Sequence, residues 1–470
     1  MRDYPMIIDG KRVASGKFAN VLNPATETPA GRCAVGDGPL LDQAVAAARR
    51  AFASWSTTSD ESRAAALLKA AEKIVAHREE LSQLITREQG KTQSGPGANL
   101  ELDGCIGWTQ ATAALALGEE ILQDDAKGKI SIRRKPVGVV GSITPWNWPL
   151  MIAVWHIMPA LRAGCTVVIK PSPYTPLSTL RLVELLNEVL PSGVLNAVTG
   201  DADVGQRMVE HPGIDKIVFT GSIKTGRGVM SGAAKTLKRV TLELGGNDAG
   251  ILLPGSNVTP LLDRLFWGCF LNAGQTCAAL KRLYVHEDQY GEVCEQLAGY
   301  VGNIPVGDGS DPKNLIGPLS NAMQRDKVAH LVDDAKRRGA KVLAGGSKPS
   351  GPGYFYPLTV VAEATDDMEV VKEEQFGPVI PVLKYKTVDE AVARANALEV
   401  GLGGSVWGDD AEECAKVAAK LECGTAWVNQ HGVLHPLAPF GGVKSSGIGV
   451  EFNLDGLKEY TTVQVINIAR

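Results

Sequence analysis

Val137-Gly-Val-Val-Gly-Ser-Ile143, Thr166-Val-Val-Ile169, Val194-Leu-Asn-Ala-Val198, Lys216-Ile-Val-Phe219 and Val240-Thr-Leu242 are five short apolar, β-branched runs. Between them lie longer stretches with helical texture, at residues 155–164, 177–189 and 204–211. Continuous apolar strands separated by helices predict a parallel sheet covered on both faces, because neither face alternates with polar residues. The expectation is a doubly wound nucleotide-binding architecture.

Outward from this block the texture continues. Upstream, residues 40–55 and 61–86 carry apolar side chains at three- and four-residue steps and read as two helices. Downstream, strands are expected at residues 282–286, 341–344, 379–385 and 426–429, with a helix over 319–338, which together read as a second α/β domain. Two segments alternate apolar with polar residues, Lys129-Ile-Ser-Ile-Arg-Arg134 and Thr462-Val-Gln-Val-Ile-Asn-Ile468. They read as half-exposed strands projecting from the body, of the kind commonly paired or covered at a subunit contact.

Bulk properties bound the function. At 470 residues the chain is too long for one core, which predicts two or three packed units. A net charge of −4 without any long Lys/Arg run argues against nucleic acid or an anionic membrane as partner. Small molecules are the expected partners. The start, Met1-Arg2-Asp3-Tyr4-Pro5, lacks the charged-then-apolar build of a signal peptide. Eight cysteines are scattered with no pair at metal-finger spacing, so no metal is expected. A cytoplasmic location, where a reactive thiol stays reduced, is the expectation.

Five places carry candidate chemistry. Phe219-Thr-Gly-Ser222 and Thr225-Gly226 form a strand followed by glycines opening a helix, where backbone N–H groups bind phosphate. A plain strand–helix turn would look the same. Lys170 ends a strand at the sheet edge where ligands bind; a lysine merely capping that strand is the alternative. Asn147 stands between Trp146 and Trp148 and is fenced by prolines, so its amide would be fixed as an oxyanion donor. It could equally satisfy an aromatic loop. Glu243 ends a strand where desolvation raises a carboxylate's pKa, as suits a general base, or else it pairs with a cation. Cys277 follows a Gly-x-x turn that could lead into a helix or open loop; exposed and near donors, its thiolate would be stabilised. Most buried cysteines are inert.

At these residues the chain resembles the aldehyde dehydrogenase superfamily over essentially its whole length. The motifs run in the family's order: Pro145-Trp-Asn-Trp-Pro149, Lys170-Pro-Ser172, Phe219-Thr-Gly-Ser222, Leu242-Glu-Leu-Gly-Gly246, Gly274-Gln-Thr-Cys277, Glu374-Gln-Phe-Gly-Pro378 and Pro439-Phe-Gly-Gly442. The resemblance implies that Cys277 attacks an aldehyde carbon to give a thiohemiacetal, its oxyanion held by the Asn147 amide and the Cys277 N–H. Hydride then passes to a nicotinamide, and Glu243 activates the water that hydrolyses the thioester.

Further implied roles concern the cofactor. Lys170 and Glu374 would hold the riboses, and Trp146, Ser222 and the Gly221–Gly226 helix start the pyrophosphate. Phe376 would pack beside the nicotinamide ribose, and Ser172, Gly200, Gly205, Thr225 and Leu244 would complete the cofactor site. NAD is expected, with NADP also allowed. The implied fold is a doubly wound parallel-sheet cofactor domain (residues 1–117 and 137–243), an α/β catalytic domain (244–440) and a small β oligomerisation hairpin (118–136 and 441–470), assembled as a homodimer or homotetramer.

Three departures from the family pattern stand out. Pro173 replaces a glutamate that disfavours NADP in many relatives. His156 replaces a lysine associated with proton relay to Glu243. Asn247 replaces a lysine after the glycine pair, with no functional account from sequence. The expected substrate channel comprises Trp148, Met151, Trp155, Phe270, Thr276, Ala278 and residues 430–437, with His431 and His435 on that loop and no arginine to anchor a carboxylate. An aliphatic or aromatic aldehyde is therefore expected. Alternatives are an aminoaldehyde or betaine-type cation, which aromatic walls also bind, a semialdehyde, or a non-catalytic scaffold of the same fold.

Overall fold

The computed structural model describes residues 2–470. Each of the five apolar runs forms a strand: Val139–Ile143, Thr166–Lys170, Leu195–Ala197, Lys216–Thr220 and Arg239–Glu243. They are all parallel, and their spatial order is 239–243, 216–220, 139–143, 166–170, 195–197. The chain thus starts in the middle, builds outward on one side, and returns to build on the other. Successive strand residues feed opposite faces. Val139, Val168 and Ile217 pack into one apolar core, while Val140, Val167, Ile169 and Val218 pack into another. Both faces are therefore dry, which is the physical reason the runs show no alternation.

The sheet's edges are closed by distant segments that the sequence reading did not pick out. Met6–Ile8 and Lys11–Val13 add antiparallel to one edge, and Gly447–Ile448 pairs antiparallel with Leu242 and Glu243 at the other. The second sheet runs in the order 341–344, 359–362, 379–385, 280–286, 248–252, 403–407, 425–428, parallel but for its first edge strand. Asp248–Leu252, Thr359–Ala362 and Gly403–Trp407 are additional to the four expected strands.

The helix expected over residues 61–86 is two helices, Asp60–Ala76 and Arg78–Gln89. The break is at His77, whose backbone leaves helical values (φ −112°, ψ 19°). The two alternating segments pair with each other: Thr461–Ala469 lies antiparallel to Gly128–Pro136, and Glu120–Asp125 extends that sheet. Among the described residues no helix is long and apolar enough to cross a membrane.

Candidate functional site

In a doubly wound sheet, ligands bind at the carboxyl ends of the strands, where the winding reverses. Here that point lies between Val139–Ile143 and Lys216–Thr220, the first strand and the one that begins the return. The loop after the first carries Trp146 and Asn147; the loop after the second carries Gly221 and Ser222. Lys170 and Glu243 end the next strands outward on either side. Four of the sequence candidates thus fall at one sheet edge for a single topological reason.

The phosphate-type element is a capped helix start. Ser222 precedes helix Ile223–Ala234, and its hydroxyl accepts from the Thr225 N–H at 3.3 Å and lies 3.0 Å from the Thr225 Oγ1. Gly226 is required by packing: a Cβ there would sit 2.5 Å from the Leu244 side chain. Leu244 itself is buried, its N–H donating to the Ser446 carbonyl at 2.9 Å. Gly200 holds a left-handed backbone (φ 141°) just before helix Ala202–Glu210. Gly205 lies against the Lys170 stem, 3.7 Å from Cε as measured from its would-be Cβ.

Lys170 is buried, not a surface cap, and its ammonium reaches only the Pro171 carbonyl, at 3.5 Å. Burial pulls its pKa down to about 8, opposed by Asp201. An almost unpartnered buried ammonium is a group suited to donate to an oxygen-rich ligand. Ser172 is buried and accepts from the Tyr174 N–H at 3.3 Å. Trp146 and Phe376 meet edge to face at 5.3 Å between ring centroids.

Asn147 is held from three sides. Its Nδ2 donates to the Gln275 carbonyl at 3.0 Å. Its own carbonyl accepts from Asn272 Nδ2 at 2.9 Å and from Lys91 Nζ at 2.8 Å. Lys91 is a buried cation whose Nζ also donates to Glu101 at 2.6 Å and lies 3.5 Å from the centroid of the Trp148 ring. Glu101 in turn accepts from the Leu150 and Met151 N–H groups that open helix Pro149–Arg162. Sequence reasoning assigned the rigidity of Asn147 to its prolines and indoles; it missed Lys91 and Glu101. The only signal available was a lysine and a glutamate ten residues apart, which any exposed helix also shows.

Cys277 follows a strained approach. Asn272, Ala273 and Gly274 are consecutively left-handed (φ 54°, 55° and 70°). A Cβ at Gly274 would lie 2.2 Å from the Gly377 carbonyl oxygen, so only glycine fits. The thiol is half-buried rather than exposed. Burial pushes its pKa up to about 12, with Lys281 opposing and Glu374 and Glu243 adding to the rise. This corrects the expectation of a stabilised thiolate: the donors nearby do not outweigh desolvation.

Glu243 is buried, and neither of its carboxylate oxygens has a hydrogen-bond partner. Burial, reinforced by the charge of Glu451, raises its pKa well above the ordinary range, as expected from its place at a strand end. His156, the departure next to this group, is buried. Its Nδ1 is 2.9 Å from Ser142 Oγ; its Nε2 is 3.0 Å from Thr220 Oγ1 and 3.3 Å from Glu451. Asn247 gains an account: its Nδ2 donates to the Val371 and Lys372 carbonyls at 2.8 and 3.3 Å, pinning the turn that leads to Glu374.

Cys277 packs against an apolar cluster of Trp148, Trp155, Ala278, Trp427, Phe440 and Phe452, joined by Trp108, Met151 and Leu434. Trp108, Trp155 and Phe452 form a triangle with centroids 4.8–5.6 Å apart. Of the expected lining residues, Phe270 lies elsewhere, and His431 stands at the cluster's margin with its ring 4.8 Å from that of Trp427. Phe270 belongs to the core of the second sheet, beside Phe266. His431 turns inward to Ser405 Oγ at 2.9 Å and Asp248 at 3.4 Å.

A doubly wound sheet with a capped helix start and a weakly partnered buried lysine at its switch point defines a nucleotide-using class of protein. A thiol, a side-chain amide and a buried carboxylate stand near that point, groups of the kind that covalent chemistry uses. The chain belongs to the aldehyde dehydrogenase family, whose model matches residues 12–466. It is 39% identical to retinaldehyde dehydrogenase 3 of Homo sapiens over 466 residues, covering 97% of this chain and 90% of that one. Among solved structures it resembles an aldehyde dehydrogenase of Bacillus cereus, solved as a point mutant (TM-score 0.97, 36% identity, 100% and 97% of the two chains). It also resembles the betaine aldehyde dehydrogenase of Staphylococcus aureus in complex with NAD+ (TM-score 0.95, 35% identity, 99% and 94% covered). The protein is an aldehyde dehydrogenase.

Proposed function

We propose that this enzyme oxidises an aliphatic or aromatic aldehyde to its carboxylic acid, with Cys277 as nucleophile and NAD as cofactor. The observation that carries the reading is the buried, unpartnered Glu243 carboxylate, whose charge acts on the Cys277 thiol, together with the aromatic cluster against which that thiol packs. A thiol with so high a pKa needs a base, and a carboxylate with a raised pKa and no other partner is one. Glu243 takes the thiol proton; the sulfur attacks the aldehyde carbon and a thiohemiacetal forms. The Asn147 amide, its other hydrogen still available, and the Cys277 N–H stabilise the oxyanion. A nicotinamide bound at the sheet edge supplies the hydride acceptor. Glu243 then activates the water that cleaves the thioester.

The residues fit such a cofactor. Lys170 and Glu374 would take ribose hydroxyls, Trp146, Ser222, Thr225 and the Gly221–Gly226 helix start the pyrophosphate, and Phe376 would flank the nicotinamide ribose. Ser172, Gly200, Gly205 and Leu244 would line the same groove. The relative solved with NAD+ supports NAD. Pro173 is exposed and adds no negative charge against a 2′-phosphate. The same reading assigns residues 1–117 and 137–243 to cofactor binding, 244–440 to catalysis, and 118–136 with 441–470 to pairing with further copies of the chain. Val463, Val465 and Ile468 on that last segment are exposed apolar side chains suited to such a contact.

A second reading, an aminoaldehyde or betaine-type cation, is favoured by the Trp108–Trp155–Phe452 triangle, since aromatic faces attract cations. The test is kcat/KM for benzaldehyde, hexanal, succinic semialdehyde and betaine aldehyde, each with NAD and NADP. Benzaldehyde and hexanal should lead. A lead for betaine aldehyde moves the assignment to the second reading, and a lead for the semialdehyde overturns both. Cys277→Ala should abolish NADH formation with every aldehyde while NAD still binds.

A further inference from the structure

Strand Leu280–His286 begins with two buried cations, Lys281 and Arg282, in an otherwise apolar run. Arg282 is accounted for by main-chain carbonyls, those of Asn247 at 2.8 Å and Ala395 at 3.0 Å. Lys281 is different, because both its polar partners belong to the site. Its Nζ donates to the Cys277 carbonyl at 2.7 Å and forms an ion pair with Glu374. The ammonium also stands 5.4 Å from the centroid of the Phe376 ring, within cation–π range.

We propose that Lys281 is a positioning residue that ties the main chain of the nucleophile to the carboxylate of Glu374, so that thiol reactivity and cofactor binding share one buried cation. Two physical effects follow. First, the bond to its carbonyl fixes the peptide plane that follows Cys277, restricting the segment on which the thiol turns. Second, the charge acts in two directions. Toward the thiol, Lys281 opposes the effect of burial and of the Glu374 and Glu243 carboxylates. Toward Glu374, it opposes the rise caused by burial and by the charge of Asp248, assisted by Lys327. An ionised Glu374 accepts from hydroxyl donors through both oxygens, whereas a protonated one has lost part of that capacity. Lys281 therefore keeps Glu374 an acceptor and keeps it from suppressing the thiolate.

The cofactor half of this inference rests on the reading of Glu374 as a ribose contact; the thiol half does not. The test uses the full-length enzyme. Alkylation of Cys277 by iodoacetamide is followed by mass spectrometry between pH 6 and 10, and NAD binding is titrated separately. For Lys281→Met, alkylation should slow about tenfold at pH 8, as for an upward shift of one pKa unit in the thiol. The NAD dissociation constant should rise about tenfold, within the ordinary range of coupling between sites. Lys281→Arg should recover most of both, which loss of packing alone would not. Glu374→Gln should move the thiol the other way and speed alkylation, because the cation beside it is then uncompensated; this arm decides the matter if Lys281→Met fails to fold. Unchanged alkylation in Lys281→Met, or slower alkylation in Glu374→Gln, would overturn the proposal. If the unmodified enzyme binds no NAD, the functional reading fails, while the alkylation arms still judge Lys281.

Discussion

Two buried lysine–glutamate pairs flank the reacting groups, and they differ in one respect. Lys91 and Glu101 are closed off, with side chains 1% and 0% exposed. Lys281 is equally enclosed at 3%, but its partner Glu374 is 24% exposed. Each lysine donates to the backbone carbonyl of a reactive residue, Lys91 to Asn147 and Lys281 to Cys277. In the first pair the carboxylate is consumed by the start of helix Pro149–Arg162. In the second it keeps a face available. A buried pair is a poor way to gain stability, since desolvation offsets most of the attraction. On the proposed reading, the closed pair is a strut that sets where the Asn147 oxyanion donor stands. On the same reading, the half-open pair would set the nucleophile while its carboxylate keeps an exposed face.

The largest expected effect strikes what the closed strut holds. Asn147→Ala should lower kcat by roughly 10²–10³-fold, the usual loss for one oxyanion donor, with NAD affinity unchanged in a direct titration. A comparable loss of NAD affinity would mean that Asn147 serves the cofactor instead. Next, Lys91→Met strands the Glu101 charge and should cost about 3–5 kcal/mol of stability, read as a lower urea midpoint. Adding Glu101→Leu should restore much of that midpoint without restoring kcat. If the double variant regains full turnover, the strut was packing and the comparison collapses.

The smallest effect concerns Glu243, a buried carboxylate with no cation at all. Its folded-state pKa is raised, so between the unfolded value, about 4.3, and the folded one the native state binds the extra proton. Stability contributed by that proton is present at low pH and fades as pH rises through this window. Glu243→Gln removes the dependence. The variant should be inactive, yet its Tm should exceed that of the unmodified enzyme by roughly 1–2 °C at pH 8 and by less at pH 5. A gain that is larger at pH 5 would contradict the assigned direction.

The sheet and its edge chemistry were legible because each depends on local pattern. Apolar runs at 139–143, 166–170 and 216–220 can only be buried on both faces, and Lys170 and Glu243 terminate such runs. Gly274 and Gly226 sit where a side chain would collide with Gly377 or Leu244. The break at His77 was not legible, since the apolar spacing continues through it and only the backbone departs. Neither was the direction of His431, whose polar partners Ser405 and Asp248 come from distant parts of the chain. The state of Cys277 was misjudged for a related reason. Motif and turn single out one thiol, but its acidity is a sum of burial, a charge four residues on at Lys281, and the distant charges of Glu374 and Glu243.

By itself the sequence determined the fold class and the family, and singled out Cys277, Asn147, Glu243, Lys170 and Glu374 as candidates, because those follow from periodicity and from residues contiguous in short motifs. Only the tertiary structure decided how these residues are held. Lys91 lies 56 residues before Asn147, and Lys281 lies 93 residues before Glu374. Glu451, which reinforces the raised pKa of Glu243, comes from the far end of the chain. Electrostatic energy depends on separation in space and on the water excluded between charges, and neither quantity is written along the chain.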